Sequence, residues 1–363
     1  MSPVVRQLAR SDGLTSRVCV TAQHRQMLDP VLELFEIKPD YDLDLMREDQ
    51  SLAELSAAIF QGLDPVLSEY KPDWVLVEGD TTTVAITSLL SYYHRIHVGH
   101  VEAGLRTHDK WQPFPEEINR RIAGVIADLH FAPTDWARQN LLQEGVSDKI
   151  IAMTGNPVID ALHFVAGKRE PESVLELLGR LEIGKSKFGK QGASRLILIT
   201  AHRRESFGQP LEDICLAVKV LASRRDIEII YPVHLNPNVQ EPVNRILKNV
   251  EHVTLLPPMD YLPLVQLMKH ASLILTDSGG IQEEAPALGI PVLVLRNVTE
   301  RPEGIEAGTS KLVGTNVRNI VDETCYLLDN PTAYSRMAKA ANPFGDGHAA
   351  EKIVDALVNY RFN

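Results

Sequence analysis

At 363 residues, 44% of them hydrophobic and 23% charged, the chain is too long for one ordinary core and fits two domains of roughly 150 to 200 residues, while its longest apolar runs are strand-sized and exclude a membrane-spanning helix. The net charge of -11 disfavours a nucleic-acid backbone as partner, because that binding needs clustered cations to displace counterions, but a small anion held by helix N-termini and a few arginines stays compatible. Cys19, Cys215 and Cys325 lie far apart and the first residues lack a signal-peptide pattern, so a cytoplasmic protein with reduced thiols is expected.

In chain order, SPVVRQLAR reads as a helix with Pro3 near its first position. Apolar runs of strand length then follow at 18–21, 74–78, 96–101, 129–132 and 150–153 in the first half. In the second half they fall at 196–200, 227–232, 253–256, 273–276 and 291–295. The segments 51–70 and 261–270 place apolar residues at three- and four-residue spacing, as amphipathic helices do. This alternation predicts an α/β chain of two Rossmann-like, doubly wound domains. The boundary is placed after Asn156-Pro157, giving domains 1–157 and 158–345, with a Lys-, Gly- and Ser-rich loop over 183–194 and a last helix near 347–360 that no strand follows. WVLVEGDTTTVAITSLL and LILTDSGGIQEEAPAL echo one another: strand, acidic residue, small residues, helix.

GRLEIGKS (179–186) matches the phosphate-loop pattern literally, but it is preceded by a helical segment and followed by a loop, the wrong context, so the match is read as chance. His94, His97 and His100 straddle a loop and a strand, which argues against a metal site. In ITAHRRESFGQP, one His, two Arg and a Glu follow the end of a strand, the position where open α/β sheets bind ligands. Glu78 and Asp80 end another strand; Glu102, Arg106, His108, Glu116, Glu117, Arg120 and Arg121 follow the next. Glu116 and Arg120, at i,i+4, are accounted for by a surface ion pair. Asp80 and Glu102, at successive strand ends, are expected to face one crevice and to suit general acid/base chemistry. LTDSGGIQEEAPALG offers Ser278, Gly279 and Gly280 at a helix N-terminus as a phosphate grip, with Arg301 as a clamp; Glu283 and Glu284 sit beside it, and Glu283 is assigned to the helix dipole.

The motifs EGDTTT, HVEAGLRT, PFPEEINRR, TAHRRE, LTDSGGIQEEAPALGIPVLVLR and TERPE, in this order, closely resemble the non-hydrolysing UDP-N-acetylglucosamine 2-epimerases. The resemblance implies two Rossmann-like domains facing across a cleft, the glycosyltransferase-B arrangement, with 346–363 returning to the first domain. It implies interconversion of UDP-GlcNAc and UDP-ManNAc by anti elimination of UDP, an enzyme-bound 2-acetamidoglucal and re-addition, with neither metal nor NAD required, and a homodimer. Carried over by motif, Asp80, Glu102 and Glu116 are acid/base candidates, which the sequence does not assign to individual faces of the sugar, and His202 meets the diphosphate. Ser278, Gly279, Gly280, Glu284 and Arg301 correspond to the UDP-binding set, with Glu284 accepting from ribose hydroxyls. Gln23, Gln26 and His234 match positions that contact a second, activating UDP-GlcNAc.

Family members open with a strand and a Gly-Thr-Arg-Pro-Glu turn, whereas MSPVVRQL aligns with the helix after it. Weak or absent activity and a less stable first domain are therefore expected of this polypeptide. Three alternatives stay open: a UDP-sugar glycosyltransferase of the same fold, a hydrolysing epimerase, and a UDP-sugar-binding protein without catalysis.

Overall fold

A computed structural model describes residues 1–22, 25–45, 47, 49–183 and 194–361, without side-chain positions for 26 and 27. The chain divides into two compact units, Met1–Ala161 with Phe344–Asn363 and Leu162–Pro343. The division falls inside the helix Pro157–Ala166 rather than at 157/158, because Pro157 starts a helix there instead of marking a linker. Gln23, most of the loop 183–194 and the last three positions of the phosphate-loop match lie outside the described residues.

Among its described residues the first unit carries six short parallel strands: β1 (Cys19–Val20), β2 (Tyr41–Asp42), β3 (Trp74–Glu78), β4 (His97–Val101), β5 (Leu129–Ala132) and β6 (Ile151–Met153). They form two sheets: β1 pairs with β2, and β3, β4, β5 and β6 pair in that order. β2 has no apolar run to betray it, and the 18–21 run contributes only two residues to β1. Ser51 starts the helix Leu52–Tyr70 with a capping box: its hydroxyl accepts from Glu54 N–H while the Glu54 carboxylate accepts from Ser51. Val4 at the N-terminus, Phe131 of β5 and Ala350 and Ile353 of the last helix, Ala349–Val358, share one core cluster. Asp160 accepts the first N–H groups of that helix, from Ala349 (3.1 Å) and Ala350 (2.9 Å), so the strandless final helix is capped and buried within the first unit.

The described residues of the second unit form one six-stranded parallel sheet of β7 (Arg195–Thr200), β8 (Ile227–Pro232), β9 (Val253–Leu256), β10 (Ala271–Thr276), β11 (Val292–Val294) and β12 (Ser310–Leu312), ordered β12-β11-β10-β7-β8-β9 and flanked by helices. Every residue of β10 is buried, as expected of a central strand covered on both faces. Ile197, Ile199, Ile229, Leu273 and Leu275 pack with Leu211, Ile214 and Val218 of the helix Gln209–Leu221. β12 escapes the sequence pattern because it is three residues long with a lysine at its centre. Strand order reverses between β7 and β10, whose last residues, Thr200 and Thr276, are register partners. That switch point is where an open α/β sheet leaves room for a ligand.

Candidate active site

In the first unit, the corners after β3 and β4 bring carboxylates together. Gly79 takes a positive φ of +82° to turn the chain, and a Cβ there would lie 3.3 Å from Glu102 Oε2, so Glu102 closes directly on the residue preceding Asp80. Glu102 itself adopts φ +61°, an uncommon conformation for a residue with a side chain, and accepts from Asn156 Nδ2 at 3.1 Å. Asp80 accepts from Arg120 Nη2 at 2.6 Å. Glu116 starts the helix Glu116–Ile126, with one buried carboxylate oxygen, Oε2, that has no hydrogen-bond partner among the described residues.

The expected surface pair of Glu116 with Arg120 is not formed. Arg120 is buried and serves Asp80 and Glu117 instead, the latter at 3.4 Å. Glu117, fully buried, accepts from the backbone of Thr107 (3.0 Å) and His108 (3.1 Å), fixing the loop that follows Glu102. Arg106 anchors the same loop by a two-pronged pair with Glu144 at 2.9 and 2.8 Å. The adjacency of Glu117 to Glu116 in PFPEEINRR was the signal for Glu117, but sequence spacing does not say which of two neighbouring carboxylates is fully buried. The three histidines have different partners: His94 contacts Asp64, His97 contacts Asp128, and His100 contacts the Gly79 carbonyl.

In the second unit, the loops after β7, β10 and β11 are drawn together by charge. Asp277, fully buried, accepts from the N–H groups of His202 (2.7 Å) and Arg203 (2.8 Å) through one oxygen. The His202 ring lies 3.7 Å from its other oxygen and stacks on His234, with centroids 5.3 Å apart. Burial lowers the His202 pKa from its ordinary value, Asp277 opposes that shift, and the His234 ring adds to it. In the sequence Asp277 appears only as the acidic residue of the LILTDSGGIQEEAPAL echo, and its hold on the loop after β7 comes from partners 74 and 75 positions away.

Ser278 precedes the helix Gly279–Ala287, yet its side chain makes no capping hydrogen bond, which leaves both its hydroxyl and the helix's first N–H groups to a ligand. A Cβ at Gly279 would lie 3.4 Å from Arg301 Cζ and 3.7 Å from Arg203 Nη2, so two guanidinium groups converge on that end. Glu283 does more than favour the helix dipole. It is buried and accepts from Arg301 Nε at 2.7 Å, and Arg301 also meets Glu300 at 3.4 Å. Glu300 in turn contacts buried Arg296, which reaches Glu205 after β7 at 2.5 Å, so an alternating chain of charges spans the three loops. Glu284, 6% exposed, accepts from the Tyr261 hydroxyl. Burial pushes its carboxyl pKa up to about 7, the adjacent Glu283 reinforces the shift, and the Tyr261 hydrogen bond opposes it.

Glu102 thus stands at the Gly79–Asp80 corner of the first unit, which also carries Glu116, while the second unit carries His202, Ser278, Gly279, Gly280, Glu284 and Arg301. Of the expected regulatory positions, Gln23 and the Gln26 side chain lie outside the described residues, and His234 stands against His202.

Comparison with known proteins identifies the family of the whole chain. The family model described as UDP-N-acetylglucosamine 2-epimerase matches residues 6–358. UDP-N-acetylglucosamine 2-epimerase of Yersinia pestis is 55% identical over 364 residues, covering 99% of this chain and 95% of the relative. The Escherichia coli K12 enzyme of the same name is 54% identical, covering 100% of this chain and 96% of its own length. UDP-GlcNAc 2-epimerase from Neisseria meningitidis, solved bound to UDP-GlcNAc, superposes with a TM-score of 0.87 at 47% identity, covering 99% of this chain and 96% of the other. With a match this extensive in both sequence and fold, the chain belongs to the UDP-N-acetylglucosamine 2-epimerase family.

Proposed function

We propose that the protein interconverts UDP-GlcNAc and UDP-ManNAc without hydrolysing them, with Asp80, Glu102 and Glu116 as acid/base residues and His202, the Ser278–Gly280 turn, Glu284 and Arg301 as UDP ligands. The observation that carries this reading is the carboxylate group: Glu102 Oε2 closing on Gly79 beside Asp80, and Glu116 with a buried oxygen that has no partner among the described residues. One of these carboxylates takes the C2 proton. The electrons of the C2–H bond form the C1=C2 bond as the C1–O bond breaks, and UDP leaves with the electron pair, giving 2-acetamidoglucal. Another carboxylic acid returns a proton to C2 from the opposite face, and a UDP oxygen re-forms the bond to C1.

The departing diphosphate gains negative charge, which the N–H groups of Gly279 and Gly280, the Ser278 hydroxyl and the guanidinium groups of Arg301 and Arg203 are disposed to meet. His202 supplies a ring N–H to the same phosphates, and Glu284 accepts from ribose hydroxyls. Because Glu283 and Asp277 already hold Arg301 and the His202 loop, these groups need little reorganisation when charge develops. The stacked pair of His202 and His234 favours a regulatory reading of His234, since a ligand touching one ring acts on the other.

Proton NMR of UDP-GlcNAc in deuterated water, with no acceptor present, tests the reaction. UDP-ManNAc signals growing as the C2 proton exchanges are the expected result. A strict need for an acceptor would assign a glycosyltransferase, accumulation of free ManNAc and UDP a hydrolysing enzyme, and UDP binding without C2 exchange a binding protein.

A further inference from the structure

The two adjacent carboxylates of the helix Gly279–Ala287 have unlike partners. Glu283 is matched by a cation, Arg301, whereas Glu284, almost as deeply buried, is given a neutral donor, the hydroxyl of Tyr261 at the first position of the helix Tyr261–His270. A buried carboxylate beside a second carboxylate favours its neutral form, and each donor aimed at its oxygens favours the ionised one. Tyr261 donates to Oε1. Oε2 has no hydrogen-bond partner among the described residues and lies 4.0 Å from where a Cβ of Gly280 would stand, at the helix end assigned to the diphosphate.

We propose that Tyr261 is a positioning residue for the nucleotide: by occupying Glu284 Oε1 it turns Oε2 toward the ligand as an ionised acceptor for a ribose hydroxyl. This rests on the reading that Glu284 meets the ribose. The titratable groups acting on Glu284 are Tyr261 from the neighbouring helix and Glu283 from its own, and Arg301 holds Glu283. An ionised acceptor receives a stronger hydrogen bond than a protonated one, so nucleotide affinity is set by the protonation of Glu284. That carboxyl titrates at about 7 with Tyr261 in place, and losing the hydroxyl moves the titration higher.

The test is calorimetry of UDP binding to the full chain between pH 6.5 and 9, comparing wild type, Tyr261→Phe and Glu284→Gln. Wild-type affinity should fall as the pH drops through about 7. In Tyr261→Phe the fall should sit at higher pH, so that UDP binds about tenfold more weakly at pH 7 and within about twofold of wild type at pH 9. Glu284→Gln should bind weakly at every pH, without that limb. A Tyr261→Phe profile that overlays wild type while Glu284→Gln binds weakly overturns the role of Tyr261 and leaves the ribose reading intact. Equal weakening of Tyr261→Phe at all pH values also overturns it, as a general packing defect. Full affinity in Glu284→Gln overturns the ribose reading and the proposal with it.

Discussion

Two strand-to-helix corners, one in each unit, share a local plan and finish it differently. At the first, β3 runs through Gly79 and Asp80 to Thr81, whose hydroxyl caps the helix Thr82–Tyr93 by accepting from Val84 N–H at 3.4 Å. At the second, β10 runs through Asp277 to Ser278, whose hydroxyl makes no cap bond to the helix Gly279–Ala287. Asp80 is turned to Arg120, Gly79 gives its carbonyl to His100, and the first corner is closed with the chain's own groups. Asp277 instead stitches the loop after β7 to its own strand end and leaves the helix N-terminus open. On the proposed reading, the capped corner holds its side chains for proton transfer, while the uncapped one keeps its N–H groups for an anion.

Replacing the candidate carboxylates of the first unit should separate the two proposed roles most sharply. Asp80→Asn, Glu102→Gln or Glu116→Gln is expected to cut C2 proton exchange by about 10²–10⁴-fold while UDP affinity changes by less than about threefold. Single-turnover NMR with parallel calorimetry measures both, and a matching loss of UDP affinity would erase the distinction between the corners.

Next comes the buried support of the first unit. Glu117→Leu leaves Arg120 without one of its two carboxylates and the Thr107 and His108 N–H groups without acceptors, and should lower stability by about 3–5 kcal/mol in urea unfolding. All three tryptophans, Trp74, Trp111 and Trp136, lie in this unit, so their fluorescence reports its unfolding.

Acid should weaken the same unit. Burial lowers the His100 and His130 pKa values to about 4, below the ordinary 6.5, so the unfolded chain takes up these protons more readily than the folded one. Stability is full above about pH 6.5 and is lost as the pH falls from there toward 4, by on the order of 2 kcal/mol per histidine at pH 5. His130→Phe should flatten this fall in tryptophan-monitored unfolding, and an unchanged slope would clear the histidine of it.

The smallest effects bear directly on the two corners. Thr81→Ala should cost about 1 kcal/mol of stability and leave UDP affinity unchanged. Ser278→Ala should do the reverse, weakening UDP binding by about three- to tenfold with stability within about 0.5 kcal/mol of wild type. If both substitutions act on stability alone, Ser278 is an ordinary helix cap.

Much of the fold was legible because its signals are local. β3, β5, β8 and β9 fall at the bounds their apolar runs predict, and the helix Tyr261–His270 matches its spacing. β2 and β12 were not, since strands of two or three residues are made by pairing to a neighbour rather than by their own composition. At the candidate site, strand-end position and motif order nominated Asp80, Glu102, Glu116, His202 and the Ser278–Gly280 turn. It mispaired Arg120 and gave Glu283 too small a part, because partners of buried charges are chosen among residues far apart in sequence.

Residue type, period and motif order therefore determined the α/β class, the strand-end positions of the candidate residues and the family. Tertiary structure alone decided that Arg120 faces Asp80 and Glu117, that Glu283 holds Arg301, and that Glu284 is left to Tyr261. The reason is physical: strand and helix follow from neighbours a few positions away, whereas the charge state and direction of a buried carboxylate follow from whichever donors folding brings to its oxygens.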